Sequence, residues 1–178
     1  MKKLIAFAGS NSSTSINYEL VKYTVSLIDD YDIQLLNMAK VEFPIFSEDL
    51  EREEGYNESL VELKDDIVQA DGVIIGVNEH NGNPSAYFKN LIDWLSRVDC
   101  KFLINKPIFL LGTSTGARGA KGSIEVTEKL LPRFGALVED KFSLPNFKEN
   151  FSIKKGVITN DELTEQHKVV LQAFLNRV

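Results

Sequence analysis

Four short apolar runs, at positions 4–8, 73–77, 108–111 and 137–142, with a weaker one at 33–36, limit what this chain can fold into. They are near-continuous rather than alternating, which implies strands buried on both faces, as in a parallel sheet. Between them the apolar positions take a helical spacing. Leu20, Val21, Thr24 and Ile28 form one stripe within 16–28, and Leu60, Leu63, Ile67 and Val68 a second. Phe88, Leu91, Ile92 and Leu95 form a third, and residues 124–131 hold a fourth. Thr159 with Glu162 has the form of a capping box that opens a last helix, with 163–175 behind it.

Five strand–helix alternations imply a doubly wound α/β domain with helices on both faces and right-handed crossovers. Five strands in 178 residues favour the flavodoxin-like parallel order 2-1-3-4-5, with residues 1–178 as a single domain. Such a length buries a full core without a disulfide or metal staple. Cys100, the one cysteine, permits no intrachain disulfide and is compatible with a cytoplasmic location. It reads as a small buried apolar residue rather than a nucleophile. Segments 43–55 and 146–160 read as longer connections.

Charge bears on partners. Lys and Arg total 20 against 26 Asp and Glu, a net −6. That balance argues against nucleic-acid binding and against an anionic membrane surface. No stretch approaches the ~20 apolar residues of a membrane span. The basic start and short apolar run at the N-terminus end at Gly9, which suits a first strand better than a signal peptide.

In a doubly wound sheet, ligands bind at the C-terminal strand ends, where the strand order reverses. Three loops fall there. The first, residues 9–17, holds Ser10, Asn11, Ser12, Ser15, Ile16 and Asn17. A helix beginning near Ser15 offers free backbone N–H groups and a positive dipole end to a phosphate, with side-chain hydroxyls and the Asn17 amide as added donors. It has no Lys or Arg and lacks the Gly-Lys-Ser/Thr ending of a triphosphate loop and the three glycines of a dinucleotide fingerprint, so a terminal monophosphate is the better match. The second loop carries Asn78, Glu79, His80, Asn81 and Gly82 before Ser85 opens a helix. Asn81-Gly82 signals a turn whose backbone can face a planar ring edge. The third carries Thr113, Ser114, Thr115 and Gly116, then Arg118, among four glycines that permit close approach. Arg118 suits a ligand contact or a solvated charge equally.

The string from Asn81 through Tyr87, Phe88, Lys89, Asn90, Asp93 and Trp94 to Arg97 closely resembles the loop and helix of the NADPH-dependent FMN reductases. Gly9-Ser10 with Ser15 and Asn17 resembles their phosphate loop, and 110–119 their third flavin loop. The resemblance implies non-covalent FMN, NAD(P)H as cosubstrate, a homodimer or homotetramer, and ping-pong reduction of quinones, azo dyes, metal ions or free flavin. It places Ser10, Ser12, Ser15 and Asn17 at the phosphate, and Glu79 to Gly82 with Ser114 to Gly116 about the ring. The chain departs from the family pattern twice. Asn11-Ser12 stands where a basic residue is usual, and Asn78-Glu79-His80-Asn81 stands where Pro-Glu-Tyr-Asn is usual.

Hydride transfer on a flavin needs no protein base, so His80 reads as a ring contact rather than a general acid, and no catalytic side chain is assigned. No His, Cys or carboxylate spacing suggests a metal site. On the helix 85–97, Tyr87, Leu91 and Trp94 form a flank beside the main stripe. That flank meets either a second subunit or a wide core. Two other functions compete with the reductase: an FMN electron carrier without nicotinamide activity, and a flavin-free binding module.

Overall fold

The computed structural model describes residues 1–178. Strands β1 (Lys2–Ala8), β2 (Tyr31–Leu36) and β3 (Gly72–Val77) alternate with helices α1 (Ile16–Val25), α2 (Glu48–Glu54) and α3 (Glu58–Gln69). A two-residue hairpin follows, β4 (Glu79–His80) and β5 (Asn83–Pro84), then α4 (Ala86–Val98), β6 (Pro107–Thr113), α5 (Lys121–Leu130) and β7 (Leu137–Leu144). The chain closes with α6 (Phe147–Asn150), a small hairpin of β8 (Phe151–Ser152) and β9 (Val157–Ile158), and α7 (Asp161–Arg177). The five long strands form one parallel sheet in the order β2-β1-β3-β6-β7, the expected 2-1-3-4-5 arrangement.

The runs in β1, β3 and β6 are continuous because each of these central strands feeds two cores; the expected run at 137–142 is not, since the edge strand β7 reads Leu-Val-Glu-Asp-Lys-Phe there and exposes Leu137, Glu139 and Lys141. Ile5, Phe7, Val73, Ile75, Val77, Ile108 and Leu110 point to one face and pack with α3, α4 and α5. Leu4, Ala6, Ala8, Ile74, Phe109 and Leu111 point to the other and pack with α1 and α7. At ~25 cal/mol per Å² of buried apolar surface, this double burial is the main force holding the sheet between its helices. Gly76 and Gly112 let helices approach closely. A Cβ there would lie 2.7 Å from Val21 and 2.8 Å from Ile124 respectively.

Several details differ from the sequence expectations. Helix α1 ends at Val25, and Ser26 caps it, although Ile28 still packs in the core. Val68 faces solvent rather than the core. The last helix is capped one residue later than the Thr159 pattern indicates: Asn160 Oδ1 accepts from Leu163 N at 3.0 Å, while Thr159 Oγ1 donates to the Glu149 carbonyl. The side chain of Cys100 is exposed, because it lies in the turn after α4 rather than under the sheet.

The open question on α4 resolves toward the core. Residues 37–56 run back across α4 as a strap, and one flank of the helix holds it. The Tyr87 hydroxyl reaches the carbonyls of Met38 and Val41 at 3.1 and 2.9 Å, and burial pushes its pKa up to about 12, so it stays a donor. Asn90 accepts from Phe46 N and donates to the Pro44 carbonyl, which also accepts from Trp94 Nε1 at 2.8 Å. Arg97 pairs with Glu51 on α2. Trp94 is 2% exposed and meets Phe46 edge-on, so it is not a subunit contact.

Candidate functional site

The C-terminal ends of β1, β3 and β6 bring the three expected loops together. They line one open groove of about 260 Å³, formed by Ser10, Ser12, Thr14, Ser15, Ile16, Asn17, Asn78, Glu79, His80, Thr113, Ser114 and Thr115. Larger depressions, of about 690 and 420 Å³, lie against α7 and between α4 and α5. The strand-end groove is the candidate because it lies where the strand order reverses between β1 and β3, the position at which a doubly wound sheet opens a crevice. Asn11, Asn81, Gly82 and Gly116 stand at its margins without lining it. Thr14, which sequence reasoning passed over, lines it as one more hydroxyl of the first loop.

The first loop ends in the N-terminus of α1. Ser15 is the cap: its Oγ accepts from Tyr18 N at 3.2 Å, which leaves its own proton free to donate. The N–H groups of Ile16 and Asn17 carry no intramolecular acceptor, as the first turn of a helix dictates. Ser10 Oγ accepts from Ser12 N, and Ser12 Oγ accepts from Thr14 N, so the hydroxyls are held around that helix end. Among the lining residues only Glu79 and His80 are titratable, and none is Lys or Arg.

The Asn17 side chain does not reach into the groove as an added donor. It is 3% exposed and turned inward, where Oδ1 accepts from Thr113 N at 2.9 Å and Nδ2 donates to the Thr113 carbonyl at 3.2 Å. Its backbone N–H remains on the open helix end.

The second loop is a tight hairpin. Asn81 and Gly82 both take positive φ, 54° and 76°, the pair that a two-residue type I′ turn requires. Two side chains outside the expected set fix it in place. Ser85 caps α4 and donates to the Gly9 carbonyl. Ser123 Oγ donates to the Asn78 carbonyl at 3.0 Å, while Glu79 Oε2 accepts from Ser123 N at 2.9 Å. The N-cap of α5, Ala120, has no capping side chain, so Glu79 supplies that helix with a carboxylate from across the site. His80 is exposed, and its Nε2 lies 3.2 Å from Asn78 Nδ2. Since the amide nitrogen is the donor, Nε2 accepts and the ring proton of a neutral His80 sits on Nδ1.

The third loop is anchored from its far side. Thr113 Oγ1 donates to the Leu144 carbonyl at 2.7 Å, and the Ser114 carbonyl accepts from Phe147 N at 3.0 Å. Gly119, at φ 57°, passes so close to β7 that a Cβ would lie 2.5 Å from Ser143 Oγ. A Cβ on Gly116 would instead have nothing within 4 Å, so that glycine faces open space. Arg118 makes no ion pair and lies over Gly122, outside the groove lining.

A loop of neutral hydroxyls on a helix N-terminus, with two further polar loops lining the same groove, fits a flavin monophosphate: an anion at one end and a planar polar ring between the others. Comparisons with known proteins agree with that fit. Residues 2–149 match the model of the NADPH-dependent FMN reductase family. A quinone reductase of Escherichia coli (strain K12) is 31% identical over 137 residues, 77% of this chain and 68% of that protein. An NADH:(hydroxy)cinnamate reductase subunit of Vibrio ruber is 29% identical over 181 residues, 96% of this chain and 85% of its own. Among solved structures, a flavoenzyme NAD(P)H:(acceptor) oxidoreductase from Paracoccus denitrificans superposes with a TM-score of 0.80 at 25% identity, covering 99% of this chain and 96% of its own. By sequence and by fold, this chain belongs to the NADPH-dependent FMN reductase family.

Proposed function

We propose that this FMN-dependent oxidoreductase takes hydride from NADH or NADPH and delivers electrons to small acceptors by a ping-pong cycle in one shared site. The acceptors are quinones, azo compounds, metal ions or free flavin. The observation that carries the reading is the convergence, at the strand ends, of a cation-free hydroxyl loop on a helix N-terminus with two further polar loops. FMN, when bound, supplies the redox chemistry, since it can accept hydride and release electrons one or two at a time.

The protein's own residues do the rest. Ser10, Ser12 and Ser15, with the N–H groups of Ile16 and Asn17, would hold the phosphate. Each hydroxyl donates one hydrogen bond, and the helix dipole stands in for the missing cation. Asn78 to Gly82 would border the ring, kept in register by Ser85 and Ser123. Ser114, Thr115 and Gly116 would flank it, and their backbone donors would meet negative charge on the reduced ring. No side chain in the groove is given a proton-transfer role. The groove is open and would leave one ring face to nicotinamide and acceptor in turn, an arrangement that suits ping-pong exchange and a broad acceptor range.

Residues 1–178 would serve as one cofactor-binding domain, acting as a homodimer or homotetramer in the cytoplasm. No helix is long and apolar enough to cross a membrane. Steady-state rates with NADH and NADPH against a panel of quinone, azo, ferric and flavin acceptors test the reading. Parallel double-reciprocal lines support the ping-pong cycle, and intersecting lines contradict it.

A further inference from the structure

We propose that Asn17 is a positioning residue that couples the phosphate end of the site to the third loop, so that it supports the ring rather than the phosphate. The inference rests on the cofactor reading given above. Asn17 has two separate engagements. Its backbone N–H stands on the open first turn of α1, where the phosphate would sit. Its side chain is buried and forms a two-point clamp on Thr113, a residue 96 positions away at the end of β6.

The clamp demands an amide. Thr113 presents one backbone donor and one backbone acceptor, both buried, and Asn answers both on a one-carbon stem. A carboxylate would set an oxygen against the Thr113 carbonyl, and an apolar residue would orphan both groups, each at the desolvation cost of a buried polar atom. Thr113 is also tied outward to Leu144, and Ser114 to Phe147. The third loop is therefore gripped from β7 on one side and from α1 on the other. Removing the α1 grip frees Thr113 to Gly116, the stretch that would flank the ring, while the free N–H groups and hydroxyls of the first loop stay in place. Coupling of this kind runs through a contiguous set of hydrogen bonds.

Riboflavin, which carries the ring without the phosphate, separates the two roles. Fluorescence titrations of wild type and Asn17→Ala with FMN and with riboflavin are the test, joined to hydrogen exchange of the 113–116 segment in flavin-free protein. The expected result is that both flavins weaken by the same factor, tenfold or more, and that the segment exchanges faster. A loss for FMN at least fivefold larger than the loss for riboflavin assigns Asn17 to the phosphate and overturns the proposal. Unchanged affinity for both, or unchanged exchange, also overturns it. If Asn17→Ala does not fold, Asn17→Ser, uncharged and too short to span both Thr113 groups, carries the same comparison. A wild-type chain that binds neither flavin sinks the cofactor reading instead, and the exchange measurement then decides the coupling alone.

Discussion

The Ser85 hydroxyl donates to the Gly9 carbonyl across 2.9 Å while accepting from Phe88 N, so one buried side chain fastens the second loop to the first and starts α4. Gly9 is bare because Phe88 fills its space: a Cβ there would lie 2.3 Å from the ring. Ser85→Ala removes a cap and an interloop bond and is expected to cost about 1–2 kcal/mol. Gly9→Ala forces Phe88 aside and is expected to cost about 3 kcal/mol, at the upper end for overpacking. Urea unfolding of both variants checks the order; equal midpoints would contradict it.

Ser15→Asp separates folding from cofactor binding. Aspartate caps a helix as well as serine does, so the unfolding midpoint should hold within ~0.5 kcal/mol. Its carboxylate would face the phosphate in a loop with no cation, and FMN affinity should fall on the order of a hundredfold. Titration with FMN reads the loss. Retained affinity would move the phosphate elsewhere.

His80 is exposed and accepts from Asn78, an arrangement that holds the ring without giving it a route to a buried proton. General acid catalysis is worth about 10²–10⁴-fold, whereas a contact is worth far less. His80→Gln should therefore slow anaerobic bleaching of bound flavin by NAD(P)H less than about tenfold, while acceptor preference shifts. A hundredfold loss in stopped-flow traces, with FMN still bound, would make His80 the acid.

His167 on α7 is a fully buried titratable group on the opposite face. Its Nε2 donates to Thr24 Oγ1, whose own proton goes to the Leu20 carbonyl, and its Nδ1 has no partner. Tyr23, Phe109 and Phe142 enclose the ring, and burial lowers its pKa from 6.5 to about 4. The neutral form is the one that folds. Above pH 6.5 its contribution is constant. As pH falls from 6.5 to about 4 the unfolded chain binds a proton that the folded chain refuses, and stability should drop by about 3 kcal/mol. His167→Phe should flatten that part of the stability–pH curve relative to wild type. Parallel curves would contradict the assignment.

What the sequence made legible was local. The central strands announced themselves because burial on both faces leaves few polar positions, whereas the edge strand β7 carries Glu139, Asp140 and Lys141. Asn81-Gly82 announced its hairpin because few other dipeptides take two positive φ values cheaply. The hydroxyl-rich first loop marked the helix end by composition alone. The fastenings were hidden because they join distant residues: Ser85 to Gly9, Ser123 to Asn78, and Asn17 to Thr113 are set by the sheet order, not by spacing. The strap explains why the sequence left the Trp94 flank open. Its flank on α4 looks unpartnered until residues 37–56 are seen to return across it, and nothing between Asn37 and Tyr56 advertises that path.

The central claim is that the three loops hold FMN and expose it to reduced nicotinamide. The most direct measurement is an anaerobic titration of protein reconstituted with FMN and then desalted, followed by absorbance. The account predicts close to one flavin retained per chain, bleached by NADH or NADPH and restored by a quinone. A colourless protein after desalting, or a retained flavin that neither nicotinamide bleaches, would contradict it.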